Sequence, residues 1–541
     1  MPATHDVTNQ PPPLDGMDFY ATDAALTDAV RQHGEGVVDE SRLHSLGQLA
    51  GSAETLDWGR LANEHKPVLR THDRYGRRVD EVEFHPAWHR LMNTAVSHGL
   101  AGTPWAADPA GLPQLTRAAG LLVWGQVESG HLCPVVMTHA AVPALRVDPD
   151  VAAVWEPLLT STTYEPTLKR ADLKGGVTAG MGMTEKQGGS DVRSNTTRAE
   201  AIAAEPGWYA LTGHKWFCSA PMSDVVLVLA QAPGGLTCFL LPRVLPDGER
   251  NVFRIQRLKD KLGNRSNASA EIELDSTFAR RVGEEGRGVR TIVEMVSATR
   301  LDCSLGSASL MRRVLVEAVH HTRHRFAFGA RLVDQALMRN VLADLAVESE
   351  AATALSLRLA AAIDRKEDAF ARIGVAVAKY WVCKRAIVVA AEALECLGGN
   401  GYVEESGMPR HYREAPVNSV WEGSGNVVAL DVLRAVGREP DSLDALLAEL
   451  GMARGEDPRY DAAVEDLLQS LADLEDVEFR ARRLVERMAV LLQGSLLLRY
   501  APPAVADAFC ATRVAGDGGH TVGTLPRGVD VSAIVDRALP G

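Results

Sequence analysis

The sequence has 541 residues, too many for one hydrophobic core, so several domains are expected. Apolar residues make up 46% and charged residues 23%, which excludes a disordered, collagen-like or coiled-coil chain; at 5% aromatic, with abundant Ala, Leu and Val, the composition favours helices packed through aliphatic faces. Fifty-seven basic against seventy acidic side chains leave a net charge of −13, so the whole chain repels nucleic acid and anionic lipid, and binding either would need a local basic patch.

In chain order, the opening MPATHDVTNQPPPLDG lacks a charged stretch followed by an apolar one, and no run of eighteen apolar residues follows anywhere, so neither secretion nor a membrane span is expected. Over residues 21–171 apolar positions recur three and four apart, as in ALTDAVRQHGEGVV and LTRAAGLLVWGQVESG, predicting a helical first region. From 177 to 275 the runs VTAGMGM, WYALTGHKWF, DVVLVLAQ, LTCFLLP and AEIELD are short, β-branched or alternating, and APGG, PDGERN and GNRSN separate them as turns, predicting an antiparallel β domain of about one hundred residues. Helical periodicity returns from 289 to about 437, and further helical patterns, LDALLAELG and VERMAVLLQGSLLLRY, precede a Gly-rich tail. Strands and helices do not alternate and no GxGxxG or P-loop follows a strand, which disfavours a doubly wound nucleotide fold. The seven cysteines are odd in number, dispersed and never in CxxC spacing, which argues against a disulfide framework or a zinc site and fits a reducing cytoplasm.

Five segments could carry chemistry. MGMTEKQGGSD (181–191) offers the hydroxyls of Thr184 and Ser190 and glycines that let backbone approach a heterocycle or phosphate, although such residues also make ordinary polar turns. In HKWFCS (214–219) Trp216 could stack on an aromatic cofactor and Ser219 could donate to it, while a strand tryptophan is more often plain core. NSVWEGSGN (418–426) sets Glu422 between a tryptophan and a glycine turn; a carboxylate against apolar surface has a raised pKa suited to proton abstraction, and alone it reads as a solvated loop acid. RFAFG (325–329) with Gln335, and LGGNGY (397–402), read blandly as helix ends with glycine stops.

Together the five, in this order and spacing, resemble the acyl-CoA dehydrogenase family of flavoproteins: MTEKQGGSD (183–191) is similar to its MxxTExxxGSD signature, KWFCS (215–219) to its KWxxT/S strand, and WEGS (421–424) to its YEGT turn. The blocks GMGMTEKQGGSDVRSNTTRAE, RLKDKLGNRSNASAE and REAPVNSVWEGSGN, with NQPPPL, FHPAWHRLM and an added C-terminal region, resemble the branch of that family tied to the bacterial alkylation response, over essentially the whole chain. The resemblance implies an α+β, mostly α fold with an N-terminal helical domain (1–175), a middle antiparallel β domain (176–282), a second helical bundle (283–437) and an extra helical domain (438–541). It implies FAD as cofactor, lying between the β domain and the second helical domain, with Met183, Thr184, Gly189, Ser190, Trp216 and Ser219 around the flavin. It further implies Arg325, Phe328, Gln335, Gly398 and Gly399 across a subunit interface, Ser424 and Asn426 closing the pocket, and a homotetramer.

By the same resemblance Glu422 is the general base that takes the α proton of an acyl-CoA thioester while a hydride passes to the flavin. Family members that carry the base on a helix after the β domain have a carboxylate where this chain has SATRL with Thr299 and Arg300, so Glu422 is the candidate here. Glu395 stands where most members have glutamine, and the stretch from Phe328 to Gln335 is one residue short, which bears on the inter-subunit FAD contact. His320, His321 and His324 share a helix but are expected to be ordinary helix residues, with no metal. Proteins of the alkylation-response branch are also linked to DNA, yet residues 438–541 hold eleven arginines, no lysine and eighteen acids, a net of −7. Arg480, Arg482, Arg483 and Arg487 are interleaved with Glu475, Asp476, Glu478 and Glu486, which reads as a salt-bridged solvated helix three times more readily than as a DNA face. The leading expectation is α,β-dehydrogenation of an acyl thioester, with electron acceptor and acyl chain unspecified. The alternatives are a DNA-binding protective flavoprotein with vestigial activity and a flavin oxidase or dehydrogenase of a small non-CoA substrate.

Overall fold

The computed structural model describes residues 4–539. The first stretch holds helices α1 (Ala24–Gly34), α2 (Glu40–Ala50) and α3 (Ala53–Glu64), strands β1 (Val68–His72) and β2 (Arg78–Glu83), and helices α4 (Pro86–Ser97), α5 (Pro113–Trp124), α6 (Leu132–Leu145) and α7 (Pro149–Leu159). Strands β3 (Ala179–Thr184), β4 (Arg198–Ala201), β5 (Trp208–Ser219), β6 (Val225–Ala232), β7 (Gly235–Pro242), β8 (Arg254–Leu258) and β9 (Ser269–Val282) follow. Then come α8 (Gly288–His324), a short hairpin β10 (Phe326–Ala327) and β11 (Ala330–Arg331), α9 (Ala336–Asp364), α10 (Asp368–Glu395), α11 (Met408–Glu414), α12 (Val417–Val420) and α13 (Gly425–Arg438). The C-terminal piece is α14 (Pro440–Gly451), α15 (Pro458–Ala472), α16 (Val477–Tyr500), α17 (Pro503–Phe509) and α18 (Val531–Ala538). This is the mostly helical α+β architecture expected. Aspartates start several helices: Asp23, Asp148, Asp457 and Asp530 accept the free N–H groups of the first turn of α1, α7, α15 and α18.

Residue contacts divide the chain into two compact units, one of residues 1–53, 109–127 and 300–541 and the other of 54–108 and 128–299. The second unit is built on a seven-stranded sheet in the order β3-β5-β4-β6-β7-β9-β8, with further pairings β3–β6 and β5–β9. Its strands are antiparallel except around β6, which runs parallel to β3 from Ala179 opposite Val225 to Gly182 opposite Val228, and touches β4 in the same sense. The chain between β3 and β6 is long enough to make that crossover, because β4 and β5 intervene. The sequence VVLVLAQA of β6 is buried almost throughout, as a strand covered on both faces must be. Val226, Val228, Phe239, Leu241, Ile255 and Ile272 pack in its core.

One element departs from the helical first region that periodicity predicts. β1 and β2 form an antiparallel hairpin, closed by Asp73, whose carboxylate accepts from the backbone of Tyr75 and Arg77, and by Gly76 at φ +82°. Its outward positions are charged, so little apolar alternation marks the strands, while the buried carboxylate of Asp80 accepts from the backbone of Ile255 to dock the hairpin on the sheet.

The first unit is helical. α9 lies against α1, α5, α10, α16 and α18, and its stretch from Leu342 to Ala362 is buried nearly all round, which suits the Ala-rich sequence ALSLRLAAA. The added C-terminal helices dock through buried ion pairs: Arg358 and Arg499 share Glu449, Arg513 holds Glu348, and Arg537 holds Glu350. Burial holds the Glu348 and Glu449 carboxylates at risk of neutralisation, but their arginine partners outweigh it and keep both below the usual range. All seven cysteines are free and buried, and burial pushes the thiols of Cys218, Cys238, Cys396 and Cys510 up to about 12. No described helix is long and apolar enough to cross a membrane.

Candidate functional site

The expected site residues lie on both units. On the sheet, β3 pairs with β5 so that Met181 faces Ser219 and Thr184 faces Phe217. This brings Met183, Thr184, Trp216 and Ser219 onto two adjoining strands, all half-buried. The register of β5 on β9 slips between Lys215 and Cys218, and the two buried residues stand three apart instead of two. The extra residue of this bulge leaves both Trp216 and Phe217 outside the core, with Phe217 44% exposed. Plain alternation would have buried one of them. The Lys259 ammonium lies 3.3 Å from the centre of the Trp216 ring, so one indole face is already capped by a cation.

The loop after Thr184 turns back through paired backbone bonds between Glu185 and Gly188, and Gly188 adopts φ +145° with no atom within 4 Å of where a Cβ would stand. Gly189 is required for a different reason: a Cβ there would lie 2.3 Å from the Thr184 hydroxyl oxygen. Ser190 is exposed. What holds this loop is a group that the motif alone does not reveal. Glu185 is wholly buried, bonds Lys215 at 2.7 Å and accepts from the backbone of Thr196 and Thr197, the Thr196 hydroxyl and the Gln187 amide. Burial works against the charge, yet Lys215 and these donors hold the Glu185 carboxyl far below its usual range. The Lys215 ammonium also donates to the Leu229 carbonyl on β6, tying the two strands that flank Thr184.

In the helical unit, Glu422 sits on the turn between α12 and α13 with φ +57°, a left-handed backbone that is costly for a residue with a Cβ, and Gly423 follows at φ +109°. Two cations hold that turn by its carbonyls. The Arg300 Nε donates to Glu422 O at 3.0 Å, and the Lys379 ammonium donates to Gly423 O. Arg300 is itself fixed by Asp431, 2.6 Å away on α13, which Arg372 also holds. Trp421 donates its ring N–H to Asn418, whose amide reaches Ser307 on α8. The Cys303 thiol is pushed well up, first by burial, then by the Cys383 thiol, with the Glu422 carboxylate among the smaller contributions. Ser424 caps α13 without a side-chain bond, and Asn426 is exposed in its first turn.

The remaining expected residues lie elsewhere in the helical unit. Phe328, at φ +53°, is fully exposed at the tip of the β10–β11 hairpin, with Gly329 beside it at φ +82°. Asn9 clamps that hairpin: its amide donates to Phe326 O at 2.9 Å, its oxygen accepts from Phe326 N at 2.7 Å, and its carbonyl accepts from Arg325. Gln335 donates to Ala327 O, bracing the same hairpin from its other end. Gly398 and Gly399 follow α10, exposed, with open space where a Cβ would project. His320 bonds the Pro12 carbonyl and His324 bonds His320 O, so both serve local structure.

The arginines of the C-terminal region are mostly spent on carboxylates. Arg454, Arg459, Arg480, Arg487, Arg499, Arg513 and Arg537 each form an ion pair within that region or to the helices beneath it. Arg482 is different: it reaches out of α16 to the Tyr380 hydroxyl at 3.1 Å and the Asn426 amide oxygen at 3.5 Å. Sequence pattern placed it among salt-bridged neighbours, and nothing local to it signals a contact 56 residues away.

Three family models cover most of the chain: the adaptive response protein AidB N-terminal domain over residues 9–166, the acyl-CoA dehydrogenase middle domain over 180–277 and the acyl-CoA dehydrogenase C-terminal domain over 286–437. AidB of Escherichia coli (strain K12) is 47% identical over 95% of this chain and 95% of its own. Acyl-CoA dehydrogenase family member 11 of Caenorhabditis elegans is 30% identical over 83% of this chain and 78% of its own. The solved structure of Caenorhabditis elegans ACDH-11 in complex with C11-CoA superposes with a TM-score of 0.85 at 27% identity, covering 95% of this chain and 94% of the other. Domain models and relatives together show that the chain belongs to the acyl-CoA dehydrogenase family, in the branch that carries the AidB N-terminal domain.

Proposed function

We propose that the protein is an FAD-dependent dehydrogenase that removes hydrogen from the α and β carbons of an acyl-CoA thioester, with Glu422 as the base. The observation that carries this is the Glu422 turn. A non-glycine residue held at φ +57° persists only where its surroundings over-determine it, and here Arg300 and Lys379 each grip one of the two carbonyls of the strained segment. Such a grip fixes the backbone from which the carboxylate projects, a first requirement for abstraction of a weakly acidic C–H. The thioester carbonyl acidifies that C–H, and the acyl-CoA ligand of the C11-CoA complex in the structural relative supports this substrate class.

The chain fits a flavin on its own features. Thr184 and Ser219 present hydroxyls from adjoining strands, Trp216 offers an aromatic surface, and Gly188 leaves open space where a side chain would project; Gly398 and Gly399, likewise open, belong in this reading to the contact with the second copy's cofactor. FAD, when bound, supplies the electron acceptor for the β hydrogen. Met183, Gly189, Ser190, Ser424 and Asn426 complete the holding set in this reading. Arg325, Phe328 and Gln335 serve the cofactor of a second copy within a homotetramer, which gives the fully exposed Phe328 a partner.

The test is an anaerobic titration of purified protein with straight, branched and aromatic acyl-CoA thioesters, following oxidised-flavin absorbance. One thioester class should bleach the flavin, and Glu422→Gln should abolish bleaching while keeping the flavin bound. A yellow wild-type protein that no thioester reduces would overturn the proposal.

A further inference from the structure

A cleft lies in the sheet-bearing unit at the end of β5 remote from Trp216 and Ser219. Trp208 opens that twelve-residue strand and Ser219 closes it, a span of about 35 Å at roughly 3.3 Å per residue. The cleft has a volume of about 390 Å³, within the usual range of small-molecule sites, and Val154 and Trp155 of α7, Trp208, Leu240 of β7, and Val244 and Leu245 beyond it wall it. Strand register builds one side. On β9, Arg280 stands directly opposite both Trp208 on β5 and Leu240 on β7, so the three side chains rise from one face of the sheet. Val154 is 58% exposed and both tryptophans are half-buried, which leaves apolar surface that folding has not covered.

Three donors accompany these walls. Neither Trp155 nor Trp208 spends its ring N–H on a hydrogen bond among the described residues. The Arg280 guanidinium donates to one acceptor, the Pro206 carbonyl at 2.6 Å, and makes no ion pair among the described residues. It lies over Gly207, φ +83°, where a Cβ would stand 1.8 Å from it, so the glycine keeps the space that the guanidinium occupies. Arg170 is spent, because Asp172 takes it in two bonds at 3.0 and 2.6 Å. Asp150, exposed in the first turn of α7, offsets the positive end of its own helix. Arg280 is therefore the cation of the cleft that still lacks an anion.

We propose that this cleft binds a small carboxylic acid with an apolar body, its carboxylate on Arg280 and its hydrocarbon against Trp155, Trp208 and Leu240. A planar carboxylate matches the guanidinium fork, and an indole N–H adds a directed bond. The cleft takes the free acid and not its thioester, since thioesterification removes the charge that Arg280 reads. The site needs no flavin and stands or falls apart from the function proposed above.

The experiment titrates the full chain as purified with octanoate, 2-naphthoate, octanol and octylamine at neutral pH, by calorimetry and tryptophan fluorescence. At least one of the two acids should bind and quench indole emission with no shift of flavin absorbance, more weakly as salt rises; octanol should bind about ten-fold more weakly, and octylamine, a cation at this pH, should not bind. Arg280→Gln should cost the acid about ten-fold or more and leave octanol unchanged, while Arg280→Lys recovers part of the loss. Val154→Asp, at a position exposed enough to accept a charge, should weaken the acid by repulsion. Acid binding that Arg280→Gln and Val154→Asp leave unchanged, in variants that fold as wild type by circular dichroism, would overturn the proposal. So would equal affinity for acid, alcohol and amine, or failure of both acids to bind. An acid that shifts flavin absorbance in wild type and in both variants alike occupies the flavin site instead, which also overturns it.

Discussion

The two places where the candidate site residues gather are held by opposite electrostatic devices. On the sheet, Glu185 and Lys215 form a buried pair whose charges are met by each other and by neighbouring backbone groups. At the Glu422 turn, the Arg300 and Lys379 cations grip the backbone carbonyls of a left-handed segment. The first arrangement is complete before any ligand arrives. The second holds a strained backbone through two charged donors from distant helices, so loss of either donor should loosen the turn while leaving the strands intact.

The largest way to break this contrast is Lys215→Ala. It strands the buried Glu185 carboxylate, and the cost should be about 3–5 kcal/mol in chemical denaturation, against little for the half-exposed Lys384→Gln. Acid offers the next largest. Burial, then Arg358, lowers the His33 pKa to about 4 from 6.5, so the folded state holds it neutral while the unfolded chain protonates it. Stability is therefore full above pH 6.5 and falls as pH drops towards 4, by up to about 3 kcal/mol from this group. Burial alone would raise Glu128 in the sheet-bearing unit, but His131 and its other donors lower it to about 2, so its contribution is intact until pH falls below 4.5. Thermal melts between pH 7 and 4.5 should thus show a slope that His33→Gln reduces by one proton, and an unchanged slope would refute the assignment. The smallest effect compares one substitution in both places. Gly189→Ala forces a Cβ onto the β-branched Thr184 and should cost about 1–3 kcal/mol, whereas Gly425→Ala meets only the flexible end of Lys384 and should stay within about 0.5 kcal/mol.

Much of this was legible in one dimension because the signals are local. Alternation marked β5 and a continuous β-branched apolar run marked β6, the TEKQGGSD and WEGSG runs marked the two turns, and Glu422 stood out as a carboxylate between Trp421 and Gly423. What escaped is long-range. Lys215 looks like any strand lysine until β3 brings Glu185 beside it, and the bulge that turns Trp216 and Phe217 outward depends on the register of β9, more than fifty residues on. Arg300 acts on a carbonyl 122 residues away and Lys379 on one 44 away, with no periodicity to betray either. The β1–β2 hairpin was hidden for a local reason, since charged residues fill the positions where alternating apolar ones would have declared strands. Arg482 shows the limit of charge patterning: its acidic neighbours along α16 suggested pairs at helical spacing, but the side chain leaves its own helix for Tyr380.

The seven buried thiols have a consequence for how the chain meets reactive chemicals. Sulfur attacks an electrophile as thiolate, and with burial pushing four of these groups up to about 12 and raising Cys303 and Cys383 too, almost none of those six is ionised at neutral pH, while Cys133 is shielded by its burial. A native molecule therefore offers alkylating agents and peroxides no soft nucleophile of the cysteine kind. Each sulfur becomes reactive only when its surroundings open, so the rate at which iodoacetamide labels the folded protein counts openings of the two units separately, with Cys238 reporting the sheet and Cys396 the helices.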